Sequence, residues 1–171
     1  MNYNIAILAI IEILSALSIG VIILYITYKI LKYFGRKKLG IEHSNMAFSI
    51  FMASILFAVG LMVSSVIQPI ISSFRILSNT SNSSMDLIIT FLGYGALYVF
   101  IAFALAIVIS LSGVVFYTTL TPIDEFQEIK NNNIGVAIVV GAIIVTLILM
   151  SKGGVNLLIE SIIPYPELPP R

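Results

Sequence analysis

Four long apolar stretches divide the chain: Ile5–Leu31, Met46–Ile71, Leu87–Thr118 and Ile134–Ile163. Each is longer than the roughly 20 residues that carry an α-helix across the hydrocarbon core of a bilayer. The pattern predicts four transmembrane helices that tilt or project past the hydrocarbon. Short polar punctuations separate them at Lys32–Asn45, Ser72–Asp86 and Thr119–Asn133. The expected fold class is all-α, a polytopic membrane protein whose four helices form two parallel two-helix repeats.

The repeat shows when the second half is laid on the first without a gap. Ile41 then falls on Ile129 and Asn45 on Asn133, and NMAFSIFMASILFAVG runs in register with NIGVAIVVGAIIVTLI. Apolar text aligns easily, so the matched loop length and the asparagine at the same helix entrance carry the alignment. Asparagine is a favoured N-cap, because its side-chain oxygen accepts one of the backbone N–H groups that a helix start leaves unpaired. Both asparagines are read as plain caps. The units are residues 1–78 and 87–163, joined by an outer polar linker at 79–86 and followed by a proline-rich tail at 164–171. A two-helix unit repeats in the same membrane orientation, which sets the pseudo-twofold axis along the membrane normal.

Composition sharpens the solvent argument. Apolar residues make up 59% of the chain and charged residues 10%, against roughly 25% charged in an ordinary soluble domain. A soluble fold of this length cannot hide that much apolar surface, whereas lipid accepts it. There is no cysteine, which excludes disulfides and thiolate metal sites, and His43 is the only histidine. No metal, cofactor or nucleic-acid partner is expected. The first apolar run lacks a basic leader and is too long for a cleaved signal, so it is expected to be retained as a helix.

Charge placement sets orientation. Lys29, Lys32, Arg36, Lys37, Lys38 and Lys130 flank the first and third loops, while Arg75 and Arg171 lie on the other face. The positive-inside rule puts these two loops in the cytoplasm and both termini outside, with the protein in the plasma membrane. The second loop carries two N-x-S/T triplets, at Asn79 and Asn82, read first as a flexible polar linker and second as glycosylation acceptors. Arg36 and Lys37 of the basic loop align with Asp124 and Glu125. Opposite charges at equivalent places allow the loops to pair, within or between subunits; the plainer reading is two solvated loops.

The third loop, LTPIDEFQEIKNNNIGVA, places Thr121 and Pro122 after an apolar helix, then Asp124 and Glu125, then Ile129, Lys130 and Asn133 before a helix rich in small residues. This pattern resembles the signature of the YjfL-like membrane family catalogued as domain of unknown function 350. The resemblance covers about half the chain and implies a multi-pass helical protein with repeated units. It implies no activity. The first unit keeps Asn45 but lacks the Thr-Pro and the acidic pair. Read from the residues alone, Thr-Pro ends the third helix and Asp124 and Glu125 start a short interfacial helical turn. The alternative is that these carboxylates bind a cation or a partner's basic segment.

Two charges lie at membrane depth, where each costs about 2.5–3.5 kcal/mol on insertion scales. Glu12 stands ~12 Å in from the outer end of the first helix, and Lys152 ~27 Å up the fourth, at 1.5 Å per residue. Three readings are open: a Glu12–Lys152 pair holding two helices in register, two snorkelling side chains, or the lining of an ion path. Gly153 and Gly154 follow Lys152 and are expected to bend the helix or turn it into an interfacial segment. Ala102, Ala106 and Ser110, and likewise Ser49 and Ala53, form four-residue stripes that permit close helix approach. Gly93 and Gly95 offer the same. Tyr25, Tyr28 and Tyr33 read as interfacial anchors.

No nucleophile–base arrangement, nucleotide loop or metal cluster is present. The function expected is that of a non-enzymatic membrane subunit, a homo-oligomer or part of a larger membrane complex in contact with the lipid bilayer. The alternative is a small ion channel or transporter formed by an oligomer.

Overall fold

The computed structural model describes residues 3–41, 44–72 and 84–162. Their main helices are α1 (Tyr3–Lys37), α2 (Met46–Ser64), α3 (Ser84–Leu120), α4 (Glu125–Lys130) and α5 (Ile134–Ile162). No strand occurs among the described residues. Four stretches are long and apolar enough to cross a membrane, Ile13–Lys37, Met46–Ser72, Leu92–Leu120 and Ile134–Ser161. The protein is an all-helical membrane protein. Asn79, Asn82, Arg75 and the tail at 164–171 lie outside the described residues, as does the Glu12 side chain.

Several boundaries differ from those read off the apolar pattern. α1 runs past Leu31 to Lys37, because lysine and arginine are good helix formers and Gly35 alone costs only about 1 kcal/mol relative to alanine, and it ends before Gly40. That glycine takes φ +64°, a left-handed conformation that costs a residue without Cβ little, and the Ile41 N–H reaches back to the Gly35 carbonyl at 3.0 Å. α3 begins at Ser84, inside the segment expected to be a linker. α5 continues unbroken through Gly153 and Gly154 to Ile162. Glycine costs a helix only about 1 kcal/mol relative to alanine, and lipid gives freed backbone groups no partner, so the helix is not interrupted there.

The second span contains the break instead. α2 turns at Ser65 and Val66 and is helical again over 67–72. Pro69 has no N–H to close onto the Ser65 carbonyl. Just before it, the Ser65 and Val66 N–H groups bond three residues back, to Met62 and Val63 at 3.1 and 3.2 Å, the tighter 3₁₀ spacing.

α2 is the central helix: it packs on α1, α3, α4 and, most extensively, α5. Of its most apolar window 39% is buried, against 11% for α1. α1 lies antiparallel to α2, with Gly35 beneath the Phe48 ring and Leu24 near Gly60. α2 and α5 run parallel, meeting at Ser54 and Gly141 and again at Ser65 and Asn156. Between lipid-facing helices there is no hydrophobic driving force, so close packing must hold them together. Here it is supplied by Ala47, Ala58, Val59 and Met62 against Ala137, Val140, Ile144 and Ile148, all buried. A Cβ on Gly141 would collide with Ser54 Oγ and stand 2.9 Å from Ser54 Cβ. The stripe Ala102, Ala106 and Ser110 does face inward, but Ser49 and Ala53 are exposed. The close contact falls one position later, at Ser54, because α2 turns that face toward α5. Gly93 meets nothing within 4 Å, whereas Gly95 lies against Ile70.

Candidate functional site

The chain's polar chemistry gathers at the end of the bundle where α2 and α5 begin and α4 sits between them. Asn45 caps α2, its Oδ1 accepting from the Phe48 N–H at 2.7 Å. The same side chain reaches across the bundle: Nδ2 donates to the carbonyls of Ile129 and Lys130, at 2.9 and 3.0 Å. Those carbonyls end α4, where a helix leaves acceptors unpaired. One asparagine thus joins the electropositive start of α2 to the electronegative end of α4.

The run Asn131–Asn133 closes the other half of this clasp. Asn132 has φ +65°, in the left-handed region that asparagine enters more readily than other side-chain-bearing residues. The Asn132 N–H then bonds the Ile129 carbonyl at 3.0 Å and the Asn133 N–H the Glu128 carbonyl at 2.9 Å, the Schellman ending of a helix. With the backbone so turned, Asn132 Oδ1 accepts from the Ala47 N–H at 3.0 Å. Two free donors at the start of α2 are therefore satisfied, one from each half of the chain. Asn133 caps α5, accepting from the Val136 N–H at 3.3 Å, and its Nδ2 donates to Glu128 at 2.7 Å. Sequence reasoning placed Asn45 and Asn133 as caps; it missed Asn132, for which the triple-asparagine run was the available signal.

α4 is the short helical turn expected of the acidic pair. Asp124 is its N-cap, accepting from the Gln127 N–H at 3.1 Å, and Pro122 is exposed in the bend between α3 and α4. Glu125 is not solvated: it is 1% exposed. One carboxylate oxygen meets the Thr121 hydroxyl, which also lies 3.0 Å from the Tyr117 carbonyl and has a single proton to divide between the two. The other oxygen, Oε2, is buried without a partner. Beside it Phe126 inserts between Phe34 of α1 and Phe51 of α2, ring centroids 5.9 and 6.3 Å away, and Phe48 extends the cluster. These four rings, unforeseen from sequence, lock α4 onto the first helix pair.

The expected pairing of the two loops does not form within the chain. Lys37 donates to the Tyr33 hydroxyl and Glu125 faces Thr121; Arg36, Lys37, Lys38 and Lys130 are exposed. The reason is that α1 keeps its helical course through Arg36 and Lys37, which holds them on the outer side, while Glu125 turns inward.

At the opposite end, Lys152 is half-buried on the flank of α5, with Asn156 and Glu160 half-buried at the next two turns. Ser65 Oγ bonds Asn156 Oδ1 at 2.8 Å, tying the break in the second span to α5. Among the described residues no cluster of three or more His, Asp or Glu is placed to hold a metal.

No curated protein and no solved structure matches the chain. Residues 91–163, which hold most of α3 together with α4, the clasp and α5, are matched by the family model described as Domain of Unknown Function (DUF350).

Proposed function

We propose that the protein is a non-enzymatic membrane subunit that assembles with further copies of itself or scaffolds a larger membrane complex. One observation carries this reading: its cross-bundle asparagines and Ser65 are engaged in holding its own helices, while its outer surface is broad and apolar. Asn45, Asn132, Asn133, Ser65 and Asn156 all bond within the bundle. Leu14, Leu17 and Val21 on α1, and Phe100, Leu111 and Phe116 on α3, face outward. The parallel course of α2 and α5, each opened by an asparagine, supports two copies of one helix-pair unit; the symmetry is broken where Asn133 turns to Glu128 rather than across the bundle. The basic end is assigned to the cytoplasm of the plasma membrane, and both termini to the outside, on its excess of lysine and arginine.

Because the chain has no cysteine, single cysteines at Leu17, Val21, Phe100 and Phe116 report subunit contacts cleanly. Oxidative crosslinking in native membranes is expected to yield a dimer from at least one position on α1 or α3. Monomer at all four, with a monomer mass in nanodiscs, removes self-assembly; absence of a co-purifying partner as well removes the reading.

The half-buried stripe of Lys152, Asn156 and Glu160 favours a second reading, an oligomeric channel or transporter. Ion flux into proteoliposomes that is lost in Lys152→Met and Glu160→Gln would put this reading first.

A further inference from the structure

The last turns of α1 carry chemistry that the clasp does not use. Ile23, Thr27, Leu31 and Gly35 pack against the bundle, with Phe34 half-buried beside them. At about 100° per residue, Tyr25, Lys29, Lys32 and Arg36 fall within roughly 60° of arc on the opposite side of the helix, and all four are exposed. Tyr28 and Tyr33 flank this stripe. Each lysine beside it is held by a tyrosine one turn earlier: Lys29 Nζ lies 5.4 Å from the centre of the Tyr25 ring, Lys32 5.4 Å from Tyr28 and Lys37 5.2 Å from Tyr33. Lys32 and Lys37 also donate to their tyrosine hydroxyls, at 3.3 and 2.7 Å. From Ile13 to Lys37 the sequence contains no carboxylate, so no acidic side chain on these turns neutralises the stripe.

We propose that the stripe binds the phosphate of anionic phospholipid headgroups in the leaflet at the basic end of the bundle. The cations supply the charge complementarity, and the tyrosines complete the donor set. A hydroxyl that accepts from a lysine still has its own O–H to give to a phosphate oxygen, so the Tyr28–Lys32 and Tyr33–Lys37 pairs each offer a charge and a hydroxyl donor side by side. The tyrosine holds the ammonium in place, through its hydroxyl at Lys32 and Lys37 and through its ring at Lys29, which lowers the ordering cost of binding. The same outward side of α1 continues into Leu14, Leu17 and Val21, all exposed. A ligand with acyl chains beside that apolar surface and a phosphate one or two turns further along matches both parts; free phosphate matches only one. This assignment goes beyond the subunit reading and needs only that α1 spans the membrane.

Native mass spectrometry of the full chain released from nanodiscs of equimolar phosphatidylcholine and phosphatidylglycerol tests it. The unaltered protein is expected to retain phosphatidylglycerol over phosphatidylcholine. Lys29→Gln/Lys32→Gln should cut that retention roughly thirtyfold, the order expected for two charges at a lipid surface. Tyr28→Phe/Tyr33→Phe keeps the rings, removes the hydroxyls and should give a smaller loss. Lys38→Gln/Lys130→Gln removes the same charge off the stripe and should leave retention unchanged. Equal loss in that charge-matched variant overturns the site, as does the absence of any preference in the unaltered protein. Displacement of the lipid by inorganic phosphate overturns the lipid as its ligand. If the lysine variant fails to fold, the tyrosine variant decides, and unchanged retention there overturns the proposal.

Discussion

Asn45 performs two tasks with one amide, and substitutions separate them. Asn45→Ala leaves the Phe48 N–H and the carbonyls of Ile129 and Lys130 without this partner. A lost cap alone costs about 1 kcal/mol; the Ile129 carbonyl keeps the Asn132 N–H, so each lost cross-bundle bond adds about 0.5–1.5 kcal/mol. Asn45→Asp keeps the cap but turns an acceptor toward two carbonyl oxygens, so it too should lower the unfolding temperature in detergent. Stability equal to the unaltered protein in Asn45→Asp would show that the cross-bundle bonds contribute nothing. At Asn132, Gly relieves the positive φ and loses only the Ala47 contact, whereas Ala keeps the unfavourable φ and loses the contact as well. Asn132→Gly should therefore unfold at a higher temperature than Asn132→Ala. The asparagines were legible in the sequence as helix caps, because capping is local. Their reach to a partner some 85 residues away was not, because it depends on how the two halves dock.

At the scale of elements, two glycine sites on one helix should respond with opposite sign. Gly141→Ala puts a methyl group into Ser54 and forces α2 from α5; overpacking of this kind costs about 1–3 kcal/mol. Adding Ser54→Gly should recover much of the loss. Gly153→Ala meets nothing within 4 Å and gains helix propensity of about 1 kcal/mol, so its unfolding temperature should be unchanged or raised. Phe126→Ala removes a half-buried ring shared by α1 and α2, a loss on the order of 2 kcal/mol, part of the cost of a fully buried phenylalanine. The same unfolding measurement checks all three. Helix positions were readable from apolar length, and their ends less so. The pattern stopped α1 at Leu31, just before Lys32, although lysine and arginine are good helix formers; it also set an interruption at Gly153–Gly154 and missed the one at Ser65 and Val66, just before Pro69.

For the whole molecule, the first and third loops emerge at one end, joined there by Asn45 and Asn132. Lys38→Cys and Lys130→Cys should thus be labelled by an impermeant maleimide from the same side. Reaction only in inverted vesicles is expected if that side is cytoplasmic; labelling in intact cells would reverse the assignment. α1 holds to the bundle by one narrow face, so its outer face is the surface most open to lipid or to another copy.

The sequence by itself determined the solvent, the number of crossings and the DUF350 motif, because each follows from local composition and spacing. Tertiary structure decided where the polar groups go. Glu125 looked like half of a solvated acidic pair and proved buried, since α4 must turn one side inward to seat Phe126 and Ile129. Ser54 rather than Ser49 or Ala53 became the contact with α5, since the rotation of a uniformly apolar helix is set by its neighbours. In lipid no polar face marks the outside of such a helix, and only packing tells its sides apart.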